Sequence, residues 1–274
     1  MLKTKVVRFL FNHRTLPKRA IAKLFPNPIL LKLTGFKMYV YLDDWAVGAR
    51  IAVNRTYEEH VSREIRQYLI PGTTFVDVGA NIGYYSLLAA SCLKNTGKIL
   101  AFEPSAKNCH LLKTSIEENG FKNVEIHLKA VADVNGMVGF KMDDSNGSIS
   151  KNITDDYAFQ VEAITLDHAL AEENQVDLIK IDVEGAEGLV IMGAEKIIQT
   201  HRPVIFTEFR PPAIENRSEM PAQAFLDRLR HHGYALQVIS KTEVVNSLPQ
   251  SNQEILACYE AVKPSHIDLL AIPQ

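Results

Sequence analysis

Residues 74–85, TFVDVGANIGYY, constrain this chain more than any other stretch. Phe75, Val76 and Val78 read as an apolar strand carrying Asp77 near its end. Gly79 and Gly83 follow, and Tyr85, Leu88 and Ala89 open a helical pattern. A strand that passes through a glycine turn into a helix brings bare backbone, and the N–H groups of the helix start, close to a ligand. The run is D-x-G-x-x-x-G rather than the G-x-G-x-x-G of dinucleotide-binding turns. A carboxylate at that point repels a pyrophosphate and attracts a cation. Ala80 and Asn81 belong to the same turn, where the Asn81 amide either caps the helix or meets the ligand.

A second carboxylate narrows the choice. Residues 98–103 (KILAFE) form another short apolar strand, ending in Glu103, 24 residues beyond Gly79. An acid at about this distance in a nucleotide-binding β-α-β unit ends the second strand and accepts ribose hydroxyls. Asp77 near a cationic amino acid moiety and Glu103 on a ribose together describe S-adenosylmethionine. The candidate cofactor-binding set is thus Asp77, Gly79, Ala80, Asn81, Gly83 and Glu103, joined below by Asp182.

Further along, TLD at 165–167, VDLIKIDVEGAE at 176–187 and RPVIFTEF at 202–209 follow DVGANIGYYS and FEPS in order. Over roughly residues 55–210 the chain resembles the FkbM family of S-adenosylmethionine-dependent methyltransferases. The resemblance implies an α/β fold with a Rossmann-like class I methyltransferase sheet: mostly parallel, antiparallel in its last strand, helices on both faces. It implies O-methylation of a hydroxyl on a sugar, glycan or polyketide-like small molecule. Residues 1–35 and the last forty or so match nothing specific.

In VDLIKIDVEG, Val176, Leu178, Ile179 and Ile181 are strand-like, while Lys180, Asp182 and Glu184 alternate onto one side. Ligands of open α/β sheets sit outside the carboxyl ends of the strands. One reading is a salt bridge of Lys180 with Asp182 or Glu184 that merely closes the strand. The functional reading puts Asp182 beside the sulfonium and the incoming hydroxyl, as base or orienter. Glu208 ends the neighbouring strand in the same way, so the catalytic candidates are Asp182 and Glu208. Two carboxylates on adjacent strands suit a divalent cation, but no spacing fixes a third ligand, and no metal is predicted. The histidines form no metal-ligand motif. Arg210-Pro211-Pro212-Ala213 reads as the start of a lid loop reaching about Met220.

Two rival functions differ in what they require. A nicotinamide-dependent oxidoreductase needs the missing G-x-G-x-x-G and sets Asp77 against the pyrophosphate. A non-catalytic binding domain, attached to a membrane or glycan-assembly complex, need not keep Asp77, Glu103 and Asp182.

Among 274 residues, hydrophobic content of 46% and charged content of 23% are those of a globular protein. Three cysteines without a C-x-x-C pair argue for a reducing compartment, hence a cytoplasmic protein, and against a disulfide framework. No run approaches the roughly 18 apolar residues of a membrane span. The first 37 residues carry nine Lys/Arg and no acid, leaving 21 basic against 32 acidic residues beyond them. That start is either a docked helix with a solvated basic face, the preferred reading, or a peripheral contact with an anionic membrane. The acidic body argues against nucleic acid.

The expected organisation is a basic extension (1–35) and a single domain (36–274), the latter opening with a hairpin and helix (36–70) before the core (71–274). The hairpin pairs 38–43 with 47–53 around Asp43-Asp44, and a helix follows over 58–68. Val-Asn-Gly at 134–136 signals another hairpin, with 160–166 as a late partner beyond a polar loop at 143–156. Strands at 234–240 and 254–262 complete the sheet.

Overall fold

The computed structural model describes residues 27–143, 146–150, 159–241, 248–263 and 265–274. Most of the basic extension, residues 1–26, lies outside that set. In chain order the elements are β1 (Ile29–Lys32), β2 (Lys37–Val40), α1 (Gly48–Asn54), α2 (Glu59–Tyr68), β3 (Thr74–Val78), α3 (Tyr84–Leu93), β4 (Lys98–Phe102), α4 (Ala106–Asn119) and β5 (Val124–His127). Then come β6 (Ala130–Val131), β7 (Gly136–Asp143), β8 (Asn146–Ser150), β9 (Phe159–Ile164), α5 (Leu166–Ala169), β10 (Leu178–Ile181), α6 (Glu187–Met192) and α7 (Glu195–His201). The remainder is β11 (Val204–Phe209), α8 (Pro211–Arg217), α9 (Ala222–His231), β12 (Tyr234–Val238), α10 (Asn252–Glu260) and β13 (Ile267–Pro273).

Seven strands form the central sheet in the order β12-β13-β11-β10-β3-β4-β5. β3, β4, β5, β10 and β11 run parallel, and β13 runs antiparallel between β11 and β12. Because side chains alternate along each strand, the sheet feeds two cores. Phe75, Ile99, Leu178 and Phe206 point into one, against side chains of α2, α3 and α4. Val76, Leu100, Ile179 and Ile205 point into the other, with α6, α7, α9 and α10. Each fully buried Phe or Leu contributes about 1.5–3 kcal/mol. This is the Rossmann-like sheet that the resemblance implies, with helices on both faces and its last strand antiparallel.

Several sequence expectations fail. The first hairpin pairs β1 with β2, Ile29 opposite Val40, rather than 38–43 with 47–53. Residues 48–54 are helical: the buried Asp44 carboxylate accepts from the backbone N–H groups of Ala46, Val47 and Gly48, closing a turn that leads the chain into α1. The described fold therefore opens upstream of residue 36, with Leu31 fully buried. Val-Asn-Gly does not make a hairpin either. β6 and β7 both pair with β9, which lies between them in a second sheet ordered β6-β9-β7-β8. The late-partner expectation for 160–166 holds, but part of the supposed polar loop is β8, paired with β7. Residues 254–262 fall in helix α10 and its exit, because Ser251 and Glu254 form a reciprocal capping box. The closing strand is β13 instead. Residues 211–217 are helix α8 with proline at its first position, not an open lid loop. No helix among the described residues is long and apolar enough to cross a membrane.

Candidate active site

The strand order reverses between β3 and β10: from β3 the chain moves on to β4 and β5, from β10 to β11 and beyond. At the carboxyl ends of these strands lies a cavity of about 430 Å³, within the range of about 300–1,000 Å³ typical of small-molecule sites. Gly79, Ala80, Asn81, Glu103, Asp182 and Glu208 all line it. Two expected residues do not. Asp77 is 1% exposed and accepts a 2.6 Å hydrogen bond from the Ser86 hydroxyl. Burial raises its pKa, against the pull of Lys180 and the Ser86 bond. It sits off the cavity surface, among the groups that support Lys180. Gly83 packs against α4, where a Cβ would meet Leu112 Cδ1 at 2.1 Å.

Glu103 anchors the turn after β3. Its carboxylate accepts from the backbone N–H of Asn81 and of Ser105, each at 2.9 Å, and from the Asn108 amide at 3.2 Å. Burial nevertheless pushes its pKa up to about 7. Asn81 holds φ +52°, and its side-chain oxygen accepts from the Ile82 N–H at 2.7 Å. Its amide donates to Asn146 at 3.1 Å, and the Asn146 amide donates to Glu184 at 2.6 Å. Asn81 therefore ties the turn to β8. The lining residues Glu58, Asn81 and Glu184 all have positive φ, at 40°, 52° and 56°. Such strained conformations in non-glycine residues gather at functional sites.

Lys180 organises the β10 wall. Its ammonium lies 2.9 Å from Asp182 Oδ2 and 4.4 Å from the Tyr85 ring centre. The salt bridge weighed from the sequence therefore exists, within the cavity wall. Burial opposes the charge on Asp182, but the Lys180 charge and hydrogen bond win and hold its pKa below the usual value. Glu208 behaves oppositely. Burial, then the charges of Asp182, Glu187 and Glu184, drive its pKa well above the carboxylate range. Glu58, which accepts a 2.7 Å bond from the Tyr85 hydroxyl, is likewise pushed up to about 7 by burial and Asp182.

Sequence reading missed Tyr57, Glu58, Tyr85 and His266, all on the cavity wall. Glu58 and Tyr57 precede α2, outside any recognisable pattern. His266 directly precedes β13, a strand absent from the sequence expectation, so nothing put it near Glu208. Among the described residues, no group of three or more His, Cys, Asp or Glu stands ready to hold a metal ion.

A family model described as the methyltransferase FkbM domain matches residues 77–236, more than half of the chain. The chain belongs to the FkbM methyltransferase family. Among solved structures it is similar to the FkbM methyltransferase of Methylobacillus flagellatus KT, at 15% identity and a TM-score of 0.47. That match covers 84% of this chain and 61% of the other, so the chain spans less than two thirds of that FkbM relative. It is also similar to M. jannaschii TYW2 in complex with AdoMet, at 12% identity and a TM-score of 0.47, covering 90% of this chain and 86% of that one. A third similar structure is the precorrin-6y C5,15-methyltransferase of Geobacter metallireducens GS-15, at 13% identity and a TM-score of 0.45, covering 78% and 88% of the two chains. No curated protein matches the FkbM chain.

Proposed function

We propose that this FkbM-family chain binds S-adenosylmethionine in the cavity and transfers its methyl group to a hydroxyl of a sugar, glycan or polyketide-like small molecule. One observation carries the reading. Glu58, Asp182, Glu184 and Glu208 crowd one cavity and disturb one another's protonation. A cationic ligand relieves that repulsion, whereas a pyrophosphate worsens it. The residues fit the cofactor's other end as well: Glu103 is a buried acceptor for a ribose, on a turn of backbone N–H groups.

When bound, S-adenosylmethionine supplies a methyl group made electrophilic by its sulfonium. The protein's part is to hold the acceptor oxygen in line with it, which can supply roughly 7–11 kcal/mol. Asp182, kept ionised by Lys180, orients and stabilises positive charge. Glu208 receives the hydroxyl proton. The three free cysteines agree with a cytoplasmic setting. Peripheral attachment of the basic residues 1–37 to anionic membrane is the alternative to a docked segment, and salt-sensitive co-sedimentation with anionic liposomes tests it.

Calorimetry with S-adenosylhomocysteine, beside nicotinamide dinucleotide, tests the reading. The first should bind and the second should not. Glu103→Ala should weaken binding at least tenfold, since a hydrogen bond to a charged acceptor is worth roughly 1.5–3 kcal/mol. Labelled methyl transfer to a panel of glycans and hydroxylated metabolites then identifies the acceptor. Binding of the dinucleotide alone would overturn the proposal.

A further inference from the structure

We infer that His266 is the positioning residue behind Glu208, and that it holds the proton the acceptor hydroxyl gives up through the Glu208 carboxyl. This rests on the methyl-transfer reading above.

Topology brings the two together. β11 and β13 pair antiparallel, with Glu208 opposite Asp268 and Phe209 opposite Ile267. The residue just before Ile267 is therefore delivered to the carboxyl end of β11. There His266 Nδ1 lies 3.5 Å from Glu208 Oε2, while Nε2 lies 4.0 Å from Asp268 Oδ2. The same Asp268 oxygen is 2.8 Å from Nε2 of His60, on α2. Glu208 and His266 both line the cavity. The result is a row running from the cavity through Glu208 and His266 to Asp268 and His60. The 3.5 Å step is long for a proton transfer, but such contacts tighten when substrate closes the site.

Glu208 is poorly suited to serve as the base by itself. Burial and the charges of Asp182, Glu187 and Glu184 favour its protonated form, against the Arg210 guanidinium 3.7 Å from Oε1, and a protonated carboxyl has no free charge to offer. His266 is the complementary group. Burial holds its imidazole below the ordinary value, against the opposing charges of Asp268 and Asp182 and with the help of Lys241 and Arg210. That favours the neutral ring, with one nitrogen bare and one carrying its proton, one proton transfer away from the cavity.

The step balances. The acceptor oxygen forms its bond to the methyl carbon as the carbon–sulfur bond breaks, and that electron pair stays on sulfur. The hydroxyl proton passes to Glu208, and the proton Glu208 already carried passes from Oε2 to Nδ1 of His266. The positive charge lost at sulfur reappears on the imidazolium, which faces the Asp268 carboxylate. Glu208 ends as it began.

This requires one tautomer: Nδ1 bare toward Glu208, with the proton on Nε2 toward Asp268. Full-length protein labelled with ¹⁵N-histidine and ¹³C-glutamate reports it directly by NMR at pH 7, with and without S-adenosylhomocysteine. His266→Gln and Glu208→Gln serve to assign the two signals. The expected result is a neutral His266 with unprotonated Nδ1 and a Glu208 carboxyl at its protonated shift. An imidazolium, the opposite tautomer or an ionised Glu208, with S-adenosylhomocysteine bound, overturns the relay alone. Failure of S-adenosylhomocysteine to bind overturns the methyl-transfer reading on which it rests.

Discussion

Gly79 lies so close to Asp182 that a Cβ built on it would stand 2.0 Å from the Asp182 carbonyl oxygen. The Asp182 N–H in turn donates to the Val78 carbonyl at 3.0 Å. The turn that carries β3 into α3 and the chain leaving β10 thus touch backbone to backbone. Gly79 also has φ +78°, which an L side chain rarely adopts. Gly79→Ala must therefore push apart the two strand ends that place Asn81 and Asp182 on the cavity. The expected loss is about 2 kcal/mol or more, read by urea unfolding, together with weaker S-adenosylhomocysteine binding by calorimetry. A variant with native stability and affinity would mean that the strand ends separate freely, and that the turn does not set the site.

Asp182 faces a different constraint, because Lys180 depends on it. The Lys180 side chain is 6% exposed, and its ammonium is salt-bridged to Asp182. Asp182→Asn leaves that buried ammonium with Asp77 and Glu58 as its remaining nearby acids. Turnover should fall about 10²–10³-fold, the cost of removing one fixed electrostatic contact to developing charge. Thermal stability should fall too, by less than for Asp182→Ala, since the asparagine oxygen still accepts from Lys180. Steady-state kinetics beside a melting curve separates the two effects. Full activity in Asp182→Asn would remove the residue from the chemistry.

The sequence revealed the core strands and most of the cavity floor, because those depend on short-range patterns. Strand, glycine turn and helix are contiguous over 74–93, and Glu103 and Asp182 each end an apolar run. What failed depends on contacts between distant segments. Asp77 reads like a ligand-facing acid, yet its side chain turns to Ser86 beside Lys180, on the face that packs against α3. No local pattern reveals that, since residues 77 and 78 alternate identically in either reading. The cavity wall formed by Tyr57, Glu58 and His266 is assembled from segments more than two hundred residues apart. Local signals were present but misread at α1 and α10, where Asp44 closes the turn before one helix and the Ser251–Glu254 pair caps the other, in stretches that also alternate like strands.

Stability should depend on pH in an unusual direction. Burial raises the pKa of Glu58, Glu103 and Glu187 to about 7 in each case. In an unfolded chain a glutamate titrates near roughly 4.3. The folded state therefore binds these protons more tightly. Their contribution is complete below the unfolded value and is lost as pH rises through about 7, at up to about 1.4 kcal/mol per unit and per group. The ligand-free protein should melt at lower temperature at about pH 7.5 than at about pH 5.5. Glu187 is the cleanest probe: it is 1% exposed, lies off the cavity, and accepts from the Val183 and Gly185 N–H groups. Glu187→Gln keeps an acceptor oxygen there and should flatten the slope. A melting temperature that climbs across this window would contradict the buried-glutamate account.

The start of the described fold can be located by truncation. Asn27 bridges to the β2 exit, its amide 2.6 Å from Asp43 and its oxygen 2.9 Å from the Leu42 N–H. Leu31 is fully buried and Leu33 is 8% exposed, both in the core that also holds Met38 and Val40. Deleting residues 1–33 therefore strips β2 of its partner strand and takes two leucines out of that core. Losing one buried leucine side chain costs about 2–5 kcal/mol, and each kcal/mol moves the melting temperature of a chain this size by about 2–4 °C. The deletion through residue 33 should thus melt on the order of 10 °C or more below the deletion through residue 26, by calorimetry under one buffer. Neither deletion removes a residue lining the cavity, so S-adenosylhomocysteine affinity should survive in both wherever the protein remains folded. Equal melting temperatures for the two truncations would show that β1 adds nothing to the domain, and would return its boundary to residue 36.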